Sequence, residues 1–187
     1  MHLGALMQNT GALIAIDPEA VKLKNLGERA TRAGVKLAEV ITARHDDPRL
    51  DRYHGRGDGV LVDAPCSGLG TVRRNPWLKA DRDPAADRAR PAVQQEILRS
   101  AARMVRPGGR LVYSTCTLRQ AENENVVEAF LRDAGEFTVA SASEILRGWG
   151  IDHHTDGPYL TLWPHRTGTD GFFAAVMHRS AAAPTGR

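Results

Sequence analysis

Two thiols and two carboxylates of this chain lie where an apolar strand gives way to a turn. Asp63-Ala-Pro-Cys-Ser-Gly68 follows the run Gly59-Val-Leu-Val62 and joins an acid, a rigid proline turn and Cys66. Ser114-Thr-Cys-Thr-Leu118 follows Arg110-Leu-Val-Tyr113 and sets Cys116 among hydroxyls at the start of a turn into a helix. Thiols at the ends of different strands could converge on one site, the usual way of supplying a nucleophile with an acid or base partner. A buried cysteine is more often a small hydrophobe, but Ser67-Gly68-Leu69-Gly70 beside Cys66 is polar and flexible, unlike core. Asp17 closes the run Leu13–Ile16. It suits either the acid that accepts ribose hydroxyls in nucleotide-binding sheets or a turn former with Pro18 at the first helical position.

These are the only cysteines, 50 positions apart, too few for a disulfide framework and without the paired spacing of a structural zinc site. His153, His154 and His165 fit no zinc spacing either, so no metal is expected.

The elements that must position these residues alternate. Leu13–Ile16 reads as a buried strand, residues 18 to 33 as a helix closed by Gly34, Leu37–Thr42 as a second strand and residues 59 to 63 as a third. Pro65 to Pro91, rich in Gly, Pro, Arg and Asp, reads as a long functional loop. From Val93 apolar residues recur at helical spacing up to Pro107-Gly108-Gly109, and a strand over 110–114 and a helix over Glu122–Leu131 follow. Residues 144 to 170 read as loop before a last strand, Gly171–Met177. Alternation of this kind argues for an α/β fold with an open parallel sheet, helices on both faces, and sites at the carboxyl ends of the strands.

The chain has 187 residues and 20.4 kDa, enough for one domain that buries roughly 70% of its unfolded surface. Apolar residues make up 42% and charged residues 25%, which excludes disordered and fibrous classes. No run approaches the ~20 apolar residues of a membrane span, and MHLGALMQNTG lacks the pattern of a signal peptide, so a cytoplasmic protein is expected. The net charge is +3, and 21 of the 25 basic residues are Arg. That suits a polyanionic partner and equally suits compositional bias. Arg73, Arg74 and Asn75 read in the same two ways, as phosphate contacts or as a solvated loop.

Taken in order, Asp63–Gly68, Arg73-Arg-Asn-Pro76, Pro107-Gly-Gly109, Ser114–Leu118 with Glu122-Asn-Glu124, and Thr169-Asp-Gly-Phe-Phe173 resemble the Sun (Fmu) family of S-adenosylmethionine-dependent RNA cytosine-5 methyltransferases, whose bacterial members include the 16S ribosomal RNA enzyme. The resemblance runs from about Leu3 to Met177, and its pairing of a proline-cysteine with a threonine-cysteine motif is specific. It implies a Rossmann-like class I methyltransferase sheet and a reaction in which a thiolate adds to carbon 6 of cytosine so that carbon 5 can take a methyl group. Cys116 matches the nucleophile and Cys66 the thiol that helps release the product. Asp63 takes the role of relieving charge on the ring. For the cofactor, S-adenosylmethionine, Asp17 aligns with the ribose acid, Asp63 lies beside the site, and Asp46, with Asp47 as the alternative, falls near the adenine. The implied partner is RNA, ribosomal in the nearest case, bound by a monomer.

The family's Gly-rich cofactor loop and the strand before it have no counterpart here; His2–Gly11 resembles the end of the helix that would follow them. The expectation is therefore a partial catalytic domain over residues 1–179, a disordered tail over 180–187, and weak or absent binding of S-adenosylmethionine by these residues alone. A catalytically inactive remnant that binds RNA or a protein partner is the alternative. A cysteine hydrolase would need a histidine beside a thiol, and none adjoins either motif. An amino-group methyltransferase would carry an Asp/Asn-Pro-Pro-aromatic motif where Asp63-Ala-Pro-Cys66 stands.

Overall fold

Short apolar runs bounded by turn formers become the strands of two separate sheets. The computed structural model describes residues 1–80, 83–153, 155 and 157–181, and the chain divides into two units, Met1–Leu50 and Asp51–Arg187. Of the expected disordered tail over 180–187, residues 182–187 lie outside the described residues, while Ser180, its first residue, donates its N–H to Glu136 O at 2.8 Å.

The first unit runs α1 (His2–Leu6), β1 (Ile14–Asp17), α2 (Ala20–Arg32) and β2 (Glu39–Thr42). β1 and β2 are parallel, with Asp17 opposite Thr42, so Asp17 ends its strand as expected. Leu23 and Ala30 bury one face of α2. Asn9, at φ +55°, joins the turn after α1 to the turn after α2. Its Nδ2 donates to Gly34 O and its Oδ1 accepts from Lys36 N–H, both at 2.8 Å. Gly4 of α1 lies so close to Val35 that a Cβ there would stand 2.3 Å from Val35 Cγ1.

The second unit runs β3 (Gly57–Asp63), α3 (Pro84–Met104), β4 (Val105–Thr115), α4 (Glu124–Asp133), β5 (Phe137–Ala140), α5 (Ala142–Gly148), β6 (Leu160–Leu162), α6 (Pro164–Thr167) and β7 (Phe172–Arg179). β3 and β4 are parallel, joined through α3, with Asp63 opposite Ser114. The sheet is not parallel throughout. β7 runs antiparallel to β4, and β5 and β6 run antiparallel to β7, in the order β3-β4-β7-β5 with β6 also on β7. The all-parallel sheet expected from sequence is thus corrected: apolar alternation is the same in either direction, and only the connections decide it.

α3 begins well before Val93. Asp83 caps it by accepting from Ala85 N–H at 2.8 Å, Pro84 occupies its first turn, and it continues through Pro91. Residues 144–170, expected as loop, contain β6, α6 and most of α5, which Ser141 caps at Glu144 N–H. These elements are too short to show a period. Leu111 and Tyr113 of β4 and Phe173, Ala175 and Met177 of β7 are fully buried on one face of the sheet. They pack with Leu98 and Ala101 of α3 and Val127 and Phe130 of α4, while Leu61 on the other face of β3 stays exposed. No described helix is long and apolar enough to cross a membrane.

Candidate active site

Parallel pairing of β3 and β4 in the register Asp63–Ser114 makes both strands end together, and the turns that leave them run side by side. Ala64 N–H donates to Ser114 O at 2.9 Å, which extends the pairing into the first turn residue. The sulfurs of Cys66 and Cys116 thereby meet at 3.4 Å, both free thiols and both half-buried. The convergence expected from sequence is present, with Asp63 at the end of β3.

The two thiols do not ionise alike. Cys66 is lowered to about 7, chiefly because the Cys116 S–H donates to it, with the backbone N–H groups of Gly68 and Cys116 adding to the effect against the cost of burial. Cys116 is pushed up, first by donating that hydrogen bond, then by burial and by the negative charges of Cys66 and Asp63. The first thiolate of the pair is thus Cys66, not the residue that matches the nucleophile.

The turns are held by residues that the sequence marks only as part of a helix or a motif. Glu122 is 0% exposed. Its Oε2 accepts from Ser67 N–H at 2.8 Å and from Gln94 Nε2 at 3.2 Å. Two arginines balance its charge, Arg119 at 3.3 Å and Arg90 at 3.5 Å, and both also pair with the buried Asp87. Gln94 Nε2 donates to Pro65 O at 2.9 Å as well. Asn123 holds the other turn, accepting from Thr115 Oγ1 at 2.6 Å and donating to Thr117 O at 3.0 Å. The hydroxyls of Ser67 and Thr117 join the two turns at 2.8 Å. One sequence signal for Glu122 existed: a charged residue immediately before an amphipathic helix and just after a cysteine turn.

Beyond Cys66 the chain passes through Gly68, at φ +69°, to Gly70, whose N–H donates to Cys116 O at 2.9 Å. Gly171 N–H donates in turn to Gly70 O at 2.8 Å. A Cβ on Gly70 would stand 2.1 Å from Gly171 O, so only glycine fits between the two strands' ends. Arg73 and Arg74 follow with largely exposed side chains that share the Asp170 carboxylate, at 3.7 Å and 2.9 Å. Asn75 Nδ2 donates to Thr71 Oγ1 at 3.1 Å.

The remaining expected residues belong to the first unit. Asp17 accepts from Glu19 N–H at 2.7 Å, the turn-forming contact weighed from sequence. Asp46 is exposed, with Arg44 Nε at 3.4 Å. Asp47 is more committed, accepting from Arg49 N–H, Nε and Nη2, and these contacts hold its carboxyl below the ordinary value. Of the two candidates Asp46 therefore keeps the freer carboxylate. Among the described residues no group of three or more His, Cys, Asp or Glu could hold a metal ion; His154 lies outside them.

A family model described as 16S rRNA methyltransferase RsmB/F matches residues 1–178. The chain is 35% identical over 180 residues to the "Probable ribosomal RNA small subunit methyltransferase B" of Bacillus subtilis, covering 95% of this chain and 40% of that protein. It is 35% identical over 188 residues to the ribosomal RNA small subunit methyltransferase F of Shewanella loihica, covering 98% of this chain and 37% of that one. Among solved structures, NSun6 from Pyrococcus horikoshii with SFG superposes with a TM-score of 0.79 at 30% identity, over 97% of this chain and 44% of that chain. The chain spans about 40% of the length of the curated relatives it matches.

Proposed function

Because the chain belongs to the 16S rRNA methyltransferase RsmB/F family, we propose that it is the thiol-bearing part of an enzyme that methylates carbon 5 of a cytosine in ribosomal RNA. The observation that carries this reading is the pair of free thiols 3.4 Å apart at the ends of adjacent strands. Carbon 5 of cytosine is too poor a nucleophile to react unaided. In the proposed reaction the Cys116 sulfur bonds carbon 6, its proton passing to solvent, and the electron pair displaced from the ring double bond gathers at carbon 5 and the ring carbonyl system. A carboxyl at Asp63, hydrogen-bonded to the ring nitrogen, relieves that charge. After methylation the carbon 5 proton must leave as the Cys116–carbon 6 bond breaks. Cys66, the first of the pair to ionise, is the base within reach of that adduct.

S-adenosylmethionine, when bound, supplies the electrophilic methyl group. The residues present fit it by their chemistry. Asp17, at the carboxyl end of β1, and the exposed Asp46 offer carboxylate acceptors of the kind that ribose hydroxyls and an adenine amino group require, and NSun6 was solved with its analogue SFG. Arg73, Arg74 and Asn75, on the segment that leads away from Cys66, would meet RNA phosphate. The enzyme is read as a monomer of the cytoplasm, without a metal.

The deciding experiment traps the adduct on RNA containing 5-azacytidine in the presence of S-adenosylmethionine, comparing these 187 residues with the same chain extended upstream to the length of its relatives. Cys116→Ser should abolish the adduct, whereas Cys66→Ser should still form it and, on RNA with ordinary cytosine, should let it accumulate. An adduct that survives Cys116→Ser and is lost in Cys66→Ser reverses the two roles. An extended chain that transfers no methyl group to any ribosomal RNA tested leaves the inactive, RNA- or protein-binding remnant as the correct reading.

A further inference from the structure

Glu122 and Asn123 are neighbours in sequence, yet each holds the flanks of a different thiol. Glu122 takes Ser67 N–H, one residue after Cys66, and the Gln94 amide that it accepts from also takes Pro65 O, one residue before. Asn123 takes Thr115 Oγ1 and Thr117 O, one residue on each side of Cys116. The chain makes this division possible by breaking between a 3-10 turn over Gln120–Glu122 and the start of α4. Asn123 itself has φ −116° and ψ −99°, outside the helical region. Both side chains are sealed, at 0% and 1% exposure, so neither reaches a substrate.

Burying a carboxylate with two arginines is a poor route to stability, since an apolar residue of similar volume would usually serve as well or better. The partners of this carboxylate say what it does instead: apart from the two arginines that neutralise it, its bonds go to the Cys66 turn and to the glutamine that holds the same turn. We infer that Glu122 and Asn123 are paired positioning residues that set the distance between the Cys66 and Cys116 sulfurs. Their catalytic meaning rests on the two-thiol reading above; their effect on the distance does not. Loss of either grip lets one turn drift while the strands stay formed.

The test uses the separation itself as readout. Diamide couples two thiols only when they come within bonding distance: both S–H bonds are lost, an S–S bond of about 2.05 Å forms, and the two hydrogens with their electrons reduce the diazene to a hydrazine. From 3.4 Å the wild-type pair should couple rapidly. Glu122→Leu and Asn123→Leu should each slow coupling about tenfold or more while a cooperative melt is kept. Hydrogen exchange should quicken in residues 63–70 for the first variant and in residues 113–119 for the second. Folded Leu variants that couple at the wild-type rate overturn the inference, as does faster exchange in both segments from either variant. If the Leu variants do not fold, Asn123→Asp decides, because it keeps the shape and sets a carboxyl oxygen against Thr117 O where the amide donated: slowed coupling supports the inference and an unchanged rate overturns it. In an extended, active chain the same variants should lower kcat and leave KM for RNA unchanged. Failure of methyl transfer in wild type would count against the proposed function alone.

Discussion

Two thiols that share a proton titrate as a pair, and their surroundings decide which sulfur carries the first charge. Here it is Cys66, which receives the Cys116 S–H and ionises at about 7, while Cys116 stands beside the acid Asp63 and holds its proton to higher pH. Below that value both thiols are protonated and slow to alkylate; above it Cys66 is a thiolate and reacts. Alkylation of Cys66 by iodoacetamide, followed peptide by peptide in a mass spectrometer, should therefore rise with pH to a plateau with a midpoint near 7. In Cys116→Ala the S–H donor is gone, and the midpoint should move up toward that of an ordinary thiol. A midpoint that stays put would mean the backbone donors of Gly68 and Cys116 alone hold the charge. Both cysteines were legible in sequence because a proline turn and a hydroxyl cluster at strand ends are poor core. The carboxylate and amides that grip them were not. Glu122 and Gln94 look like the polar faces of helices, and only the fold reveals that those faces turn inward.

At the scale of elements, β3 and β4 were readable from apolar runs, and with them the meeting of the two turns. β5, β6 and α6 were not, because Phe137–Ala140 and Leu160–Leu162 are short and each is interrupted by a threonine, the four residues of α6 carry no period, and the antiparallel course of β7 leaves no mark on its own residues. That course matters to the site. It brings Gly171 against Gly70, so the start of β7 braces the Cys66 loop and the end of β4 together. Alanine at position 70 would press its Cβ to 2.1 Å from Gly171 O and 2.7 Å from Cys116 O, both backbone atoms that cannot step aside cheaply. Gly70→Ala should destabilise the second unit by about 3 kcal/mol, seen as a lower urea midpoint with an unchanged slope, whereas Gly59→Ala, which meets nothing within 4 Å, should not. The same loop carries Arg73 and Arg74 past Asp170. If Arg74 meets a phosphate, Arg74→Ala should reduce the salt dependence of binding to a single-stranded oligoribonucleotide by roughly 0.7 in logarithmic slope. An unchanged slope in a filter-binding titration would confine Arg74 to its partner Asp170.

For the whole molecule, the residues proposed for the two halves of the reaction fall in different units: Asp17 and Asp46 before Leu50, the thiols and Asp63 after Asp51. The units are unequal in what holds them. Among the described residues the second has five strands and a core that runs through β4, β7, α3 and α4, whereas the first has a two-stranded sheet and few buried apolar residues, among them Leu23, Ala30, Val35 and Ile41. Regions with few buried contacts open at a small fraction of the global free energy. Amides of β1 and β2 should thus exchange with deuterium well before those of β4 and β7. Their exchange also measures the cofactor reading without any RNA. A ligand that binds only the folded first unit at a hundred times its dissociation constant would add about 2.7 kcal/mol, or roughly a hundredfold slowing. Since no Gly-rich loop precedes β1 in these residues, we expect millimolar S-adenosylmethionine to slow exchange over residues 14–42 by less than about twofold, the signature of a dissociation constant at or above the ligand concentration. The extended chain should show strong protection over the same residues. Tenfold slowing in the 187 residues alone would mean that Asp17, Asp46 and their neighbours suffice to hold the cofactor, and that the carboxylates of this small unit outweigh the backbone contacts a Gly-rich loop supplies.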